Sequence, residues 1–287
     1  MNQTKLSVNS IDLIGIPKEP DATSFEVQVS LHVDYITPFN GTIATSTATL
    51  SYSGNDFGNA KIPTIKLPKG HQSVNMDINT SIEITQISIL TQMSADMYIS
   101  KAIALKSAAV IDTSIWGMQY RGNHLQRTFQ IAGMNRLSTP PPKVNAIVLR
   151  HCSATKYLID IDAMLDNRSQ LGFLDVGYLN MSVYYENQYL GYAMSGSATQ
   201  GLPRGESNQS FTVSIRNSPV TQKVINRMIS GIIGNRAQFF IVGDHPYISP
   251  FKILQLALST FNLSVLYTDG MAKVRIGPDC DMSALSP

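Results

Sequence analysis

Cys152 and Cys280 are the only cysteines in the 287-residue chain, and they sit near the two ends of its second half. Two cysteines fit one disulfide in an oxidising compartment; the other reading is two unrelated buried thiols. A bond between them would close a loop of nearly the whole second half, worth about 4–5 kcal/mol on the chain-entropy view. His151 adjoins Cys152, but no second Cys/His pair stands at zinc spacing, so no metal ligand is assigned. The five histidines, His32, His71, His124, His151 and His245, are scattered singly. Asp160 and Asp162 resemble a carboxylate pair, yet on the polar row of an antiparallel strand they read as solvated. Asp279, Cys280 and Asp281 cluster in GPDCD without the signature of a calcium loop. Lys69 and Arg204 each precede a glycine, and a glycine beside a basic residue can cradle an anion. The chain has no G-x-S-x-G elbow, phosphate loop, dinucleotide fingerprint or H-E-x-x-H. No catalytic residue and no cofactor is assigned.

A second kind of chemistry is modification. N-x-S/T sequons occur at Asn2, Asn40, Asn79, Asn167, Asn180, Asn208 and Asn262. Chance predicts about three, so the excess favours a lumenal or extracellular setting and possible N-glycosylation sites at Asn40, Asn79, Asn167, Asn180, Asn208 and Asn262. The net charge of +2 is dispersed, with no Lys/Arg cluster, which argues against nucleic acid. Charged residues are 15% against a norm of about 25%, and Ser, Thr, Asn and Gln supply the missing polarity. No apolar run of about 18 residues spans a membrane, and the first residues carry no apolar leader core. Two readings follow: a complete cytosolic protein, or a soluble portion whose leader or anchor lies outside this sequence.

The elements that must position these residues come in two copies. LPKGHQSVNMDI (Leu67 to Ile78) returns as LPRGESNQSFTV (Leu202 to Val213), 135 residues later. Proline fixes φ and glycine permits positive φ, so each copy reads as a turn feeding an alternating strand. VNSI at Val8 is answered by VNAI at Val144, and the apolar row from Phe25 by Tyr157, Ile159, Ile161, Ala163 and Leu165. Leu50 and Phe57-Gly58 are answered by Val183 and Leu190-Gly191, and Gly133-Met134 by Gly270-Met271. Offsets of 132 to 137 in constant order mark a duplicated domain rather than a short solenoid repeat. In register, LPKG and LPRG become equivalent turns, and Lys69 and Arg204 exposed turn residues.

Leu6 to Ile16 reads as a strand before Pro17. Phe25, Val27, Val29, Leu31, Val33 and Tyr35 alternate with polar residues and predict a strand with one buried face. His32 falls on its wet row. Ile43 to Tyr52 predicts a strand, Ser53 to Asp56 a hairpin turn and Lys61 to Leu67 another strand. Ile84, Ile87 and Leu90 predict a short helix. Met97 to Ile111 returns to strand composition, and Trp116, the sole tryptophan, is expected to pack in the core or at its rim. Leu137 to Lys143 contains three consecutive prolines and reads as a stiff linker. The expected organisation is therefore residues 1–136, linker 137–143, and residues 144–287. In the second half Ser218 is an N-cap with Pro219 at the first helical position, and Gly234-Asn235 a stop. Val224/Ile225, Met228/Ile229 and Ile232/Ile233 form a stripe expected to pack on its own sheet. Ala237 to Val242 and Phe261 to Tyr267 predict the closing strands.

This arrangement resembles the late-embryogenesis-abundant type-two family, also called the water-stress and hypersensitive-response (WHy) domain. The shared pattern is an alternating strand, a strand ending in a hairpin with Phe-Gly or Leu-Gly, a Leu-Pro-basic-Gly turn, another strand and a helix. It is similar above all to fungal proteins that carry such domains in series behind a membrane anchor. The Asn-Pro-Asn of many members is replaced here by Tyr35 to Asn40 and by Asp166-Asn167-Arg168. The resemblance implies a mostly β fold, with two tandem immunoglobulin- or fibronectin-like antiparallel sandwiches, each with a short flanking helix. It also implies no enzymatic activity, a lumenal or extracellular place beside a membrane, and for vacuolar members a lipid-handling role. The leading expectation is a non-enzymatic module of a membrane-anchored protein, binding lipid or a membrane-protein partner through an apolar groove between sheet and helix. Its tether would lie in a segment absent from this chain. The alternatives are a structural or adhesive spacer with fully packed cores, and an enzyme whose active site follows no known motif.

Overall fold

Alternating apolar and polar residues force strands with one face to bury, and a chain this rich in them must close sheets over its cores. The fold is a computed structural model describing residues 5–16, 23–244, 248–249 and 251–280. Asn2, Pro17, His245 and Asp281 lie outside the described residues.

The first half contributes β1 (Lys5–Gly15), β2 (Ser24–Thr37), β3 (Gly41–Ile43), β4 (Ser46–Tyr52), β5 (Asn55–Ile62), β6 (Ile65–Leu67) and β7 (Gly70–Ile84). Helix α1 (Ile87–Ile99) and the hairpin β8 (Ala102–Ile115) and β9 (Met118–Ala132) complete it. The second half runs β10 (Lys143–Cys152), β11 (Lys156–Asn167), β12 (Leu171–Phe173), β13 (Asn180–Tyr185), β14 (Gln188–Ser195) and β15 (Gly205–Arg216). Helix α2 (Pro219–Ile233), β16 (Ala237–Val242), α3 (Lys252–Leu258), β17 (Asn262–Tyr267) and β18 (Val274–Cys280) follow.

Each half is one hydrogen-bonded sheet with a helix against it. The first sheet carries the path β1-β2-β7-β5-β4-β8, with β9 beside β8; the second carries β10-β11-β15-β14-β13-β16-β17. The order is the same, element for element. The duplicated Gly58 and Gly191 share a reason as well. A Cβ on Gly58 would sit 2.7 Å from the Glu83 carbonyl oxygen, and one on Gly191 2.0 Å from that of Ser214. Both glycines admit the close approach of the neighbouring strand. Gly70 and Gly205, the glycines of the two Leu-Pro-basic-Gly turns, both take positive φ and open β7 and β15.

Helix α2 follows its sequence signals: Ser218 Oγ accepts from the Thr221 amide, Pro219 stands in the first turn, and Gly234 caps the end. Val224, Ile225, Met228 and Ile232 are buried beneath it. Several expectations need correction. The strand expected from Met97 begins only at Ala102, because Met97 and Tyr98 continue the buried stripe of Leu90 and keep α1 helical to Ile99. The strand expected over Ile43 to Tyr52 is broken between β3 and β4, since β3 pairs with β6 and β8 rather than with β5. The segment GPDCD is not a loose acidic cluster. Its Gly277 to Cys280 belong to β18, which runs parallel to β10 and places Cys280 opposite Cys152, while Asp281 lies outside the described residues. The two cysteines are bonded, with a Cα separation of 4.2 Å. Leu137 and Pro142 are buried, so the proline segment packs against the second half instead of standing off as a spacer.

The halves also exchange core residues. Tyr98, Met134 and Leu137 enter the core of the second half. Val176, Ile253 and Leu254 enter that of the first. Strand β12 crosses to pair in parallel with β1, Ile11 opposite Leu171. Beside it Arg204, exposed at its turn as expected, also reaches across the seam. Its Nε and one terminal nitrogen donate to the two carboxylate oxygens of Asp12 at 2.8 and 2.9 Å. Gly172 makes room for this pair, since a Cβ there would lie 2.2 Å from Asp12 Oδ1. Asp12 is 7% exposed, whereas 40% of the Arg204 side chain meets solvent. Breaking the pair is therefore asymmetric. Arg204→Met strands a buried carboxylate and is expected to lower unfolding stability by about 3–5 kcal/mol. Asp12→Asn leaves a guanidinium that water can reach, and costs less. Urea denaturation of both variants checks the order; equal costs would mean that the pair does not hold the seam.

Candidate functional site

The seam encloses a cavity of about 110 Å³. Spacings of three and four residues bring Met93 and Met97 on α1, and Leu254, Ala257 and Leu258 on α3, onto one wall. Alternation along the second sheet aims Leu165, Met181, Phe211, Ile241 and Leu263 at the other. Four of the lining side chains are methionines, Met93, Met97, Met134 and Met181, whose unbranched thioethers repack easily around apolar guests. A second, wholly apolar cavity of about 80 Å³ lies deeper in the second half, reaching Met228 and Ile232 of α2. The two share Leu165, Phe211, Ile241 and Leu263 as a common wall.

Polar groups around the larger cavity are few and neutral: Ser94, Ser195, Gln200, Gln209 and Thr260. Gln200 Oε1 accepts from the amides of Gly196 and Ser210, and Ser195 Oγ accepts from the Leu179 amide at 3.0 Å. Gln209, buried, donates to Ser207 Oγ at 2.9 Å. Among the described residues no Asp, Glu, His, Lys or Arg lines the cavity. Such a surface can hold hydrocarbon and orient a neutral polar group at its edge. It offers no acid, base or nucleophile pair. Tyr98 closes one side. Its hydroxyl donates to the Asn262 carbonyl at 2.5 Å, its ring packs on Phe261 at 4.7 Å, and burial pushes its pKa up to about 12.

The residues singled out from sequence lie elsewhere. The Cys152–Cys280 bond ties β18 to β10, and His32 and His71 meet Asn75 and Asp34 rather than each other. Asn40, Asn79, Asn208 and Asn262 are exposed and Asn180 is half-buried. Asn167 is the exception. It is 1% exposed, its Nδ2 donates to the Leu171 carbonyl at 2.8 Å, and its Oδ1 accepts from Ser169. A glycan on that nitrogen is incompatible with the fold. Trp116, expected in a core or rim, is 75% exposed. No His, Cys, Asp and Glu group among the described residues could hold a metal ion. Sequence reading missed the cavity's α3 wall, although Ile253, Leu254, Ala257 and Leu258 carry a helical spacing.

A family described as "Protein of unknown function (DUF3712)" matches residues 55–183, less than half of the chain. That stretch runs from β5 into β13 and spans the seam rather than either repeat. No curated protein matches the chain. Solved structures similar to it include a protein from Archaeoglobus fulgidus, with 8% identity, 46% of this chain and 95% of that one covered, and a TM-score of 0.27. A protein of unknown function from Porphyromonas gingivalis W83 shows 12% identity, coverages of 91% and 97%, and a TM-score of 0.21. The E. coli chaperone DraB shows 6% identity, coverages of 83% and 91%, and a TM-score of 0.21. At these scores the likenesses define neither fold nor function.

Tyr98 makes the seam sensitive to alkali. Its folded-state pKa lies above the ordinary value of 10.0, so the proton it keeps stabilises the fold fully below pH 10. That contribution is lost as the pH rises from 10 towards about 12. The stability gap between wild type and Tyr98→Phe is expected to narrow over this window in denaturation series at stepped pH. A gap independent of pH would refute the role given to burial.

Proposed function

We propose that this protein is a non-enzymatic binding module that accommodates the hydrocarbon portion of a lipid in the seam cavity. The observation that carries the reading is the cavity itself, apolar, lined by methionines and bounded by helices on one side and a sheet on the other. A cavity of about 150 Å³ lined by aliphatic side chains holds benzene, so about 110 Å³ admits a few methylenes without rearrangement. A longer chain would part the wall of Leu165, Phe211, Ile241 and Leu263 and enter the second cavity. We read the two curved sheets with their helices as a variant of the tandem immunoglobulin- or fibronectin-like sandwiches of the WHy family. The same kinship suggests a lumenal or extracellular place beside a membrane, with the chain tethered through a segment outside this sequence. The bonded cysteines and the exposed sequons at Asn79, Asn208 and Asn262 support an oxidising, glycosylating compartment. A spacer would call for filled cores, which two adjoining cavities disfavour. An enzyme would call for convergent titratable groups, and among the described residues the cavity lining carries only Tyr98, whose hydroxyl is engaged by the Asn262 carbonyl.

Ala257→Phe places a ring where the proposed hydrocarbon sits. Native mass spectrometry of protein from a eukaryotic host is expected to show co-purified lipid on wild type, with occupancy at least about tenfold lower on this variant. Lipid-free wild type, or full occupancy of a folded Ala257→Phe, would count decisively against the reading.

A further inference from the structure

We propose that the far end of the first sheet docks on an anionic lipid bilayer through Trp116 and Phe39. This surface is separate from the cavity. Strand β8 runs 14 residues from α1 to the turn at Trp116, a span of roughly 40 Å. Met134, just past the other end of β9, lines the cavity.

Five large apolar side chains gather at this end and all are exposed: Ile36, Phe39, Trp116, Met118 and Tyr120. Trp116 is the most exposed large apolar residue among those described, and it is the only tryptophan in the chain. Its ring lies parallel to that of Phe39, with centroids 5.1 Å apart and planes 2° apart, so the two form one platform. The backbone holds them there. The Trp116 amide donates to the Asn40 carbonyl, and Asn40 Oδ1 accepts from the Lys69 amide at 2.9 Å. Lys69 belongs to the first Leu-Pro-basic-Gly turn, which thereby becomes part of the same surface.

Two further observations set the occupant. Trp116 and Gly117 take φ of 51° and 79°, the values of a two-residue type I′ hairpin turn. Asn is favoured at the first position and a bulky residue is strained there. At the corresponding kind of turn between β4 and β5 the chain uses Ser53-Gly54. Turn geometry therefore does not explain a tryptophan at 116. Charge supplies the second constraint. Segments 36–42, 65–70 and 113–121 hold Lys66, Lys69 and Arg121 and no carboxylate, and all three cations are exposed. The carboxylates just outside are engaged, Asp34 with His71 and Asp112 with the Gly122 amide. Exposed Trp, Tyr and Phe flanked by Lys and Arg match the headgroup layer of an anionic membrane, where aromatic rings sit at the interface and cations meet lipid phosphates and carboxylates.

The sole tryptophan is its own reporter. With the full chain and phosphatidylcholine vesicles containing phosphatidylserine, Trp116 emission should shift to the blue and the protein should float with the vesicles. Vesicles of phosphatidylcholine alone should recover far less. Trp116→Asn should remain in solution while melting no lower than wild type, because Asn-Gly suits the turn. Lys66→Gln, Lys69→Gln and Arg121→Gln together should weaken binding on the order of a hundredfold. Unshifted emission, equal recovery on neutral vesicles, or undiminished flotation of folded Trp116→Asn would each overturn the proposal, the first in favour of a protein partner and the last two in favour of nonspecific adsorption.

Discussion

Gln170 is the residue on which the two halves depend. Its backbone N–H donates to the Ala132 carbonyl and its side-chain oxygen accepts from the Ala132 amide. Its carbonyl accepts from Ile11, and its side-chain amide donates to the Val8 carbonyl at 2.5 Å. Every polar group of one side chain and its own peptide is thus used to bind the last strand of the first hairpin and the first strand of the chain. An edge strand left open offers a row of unpaired donors and acceptors, and burial without partners would cost about 1–3 kcal/mol for each. Gln170 and the three residues of β12 close part of that edge on β1. Asp12 and Arg204 then fix the register from the side.

This closure has a consequence for the interior. Because β12 must reach the first sheet, the chain between β11 and β13 leaves its own sheet, and α3 packs beside α1 instead of over the second core alone. The space between α1, α3 and the second sheet is where the large cavity lies. Protein interiors are usually filled to crystal-like density, so two adjoining apolar voids mark a place where packing was not optimised for stability alone. Four methionines around the larger void supply walls able to follow a guest.

The duplication was readable because each copy repeats local signals that need no tertiary context. The Leu-Pro-basic-Gly turns, the alternation of Phe25 to Tyr35 and the Ser218-Pro219 start of α2 all act within a few residues. The features hidden from the sequence are those set by distant partners. Three residues of β12 carry no periodicity, and their pairing with β1 joins positions 160 residues apart. Arg204 looked like Lys69 because the turns are equivalent; only the nearness of Asp12 separates them, and only an arginine spans both carboxylate oxygens. Strand β18 is obscured by a proline and an acidic residue, since a parallel edge strand needs little hydrophobic pattern of its own. Residue type places Trp116 in a core or at its rim, whereas its place at a hairpin tip is fixed by the register of β8 and β9.

The two copies have parted at the same two places, and the partings are complementary. Residues 41–43 form β3, which stays on the first sheet and helps build the exposed end; the equivalent residues 171–173 form β12, which crosses the seam. In the first copy β8 turns directly into β9 through Trp116-Gly117. In the second, the connection from β16 to β17 is long enough to carry α3, whose Ile253 and Leu254 return to the first core. Topologically, therefore, Trp116 and α3 occupy the same position. One copy presents that position to the outside as an aromatic tip, and the other folds it inward as a wall of the cavity. A single duplicated unit, once joined edge to edge, thus acquired two chemically different ends: one that meets its surroundings and one that encloses apolar space.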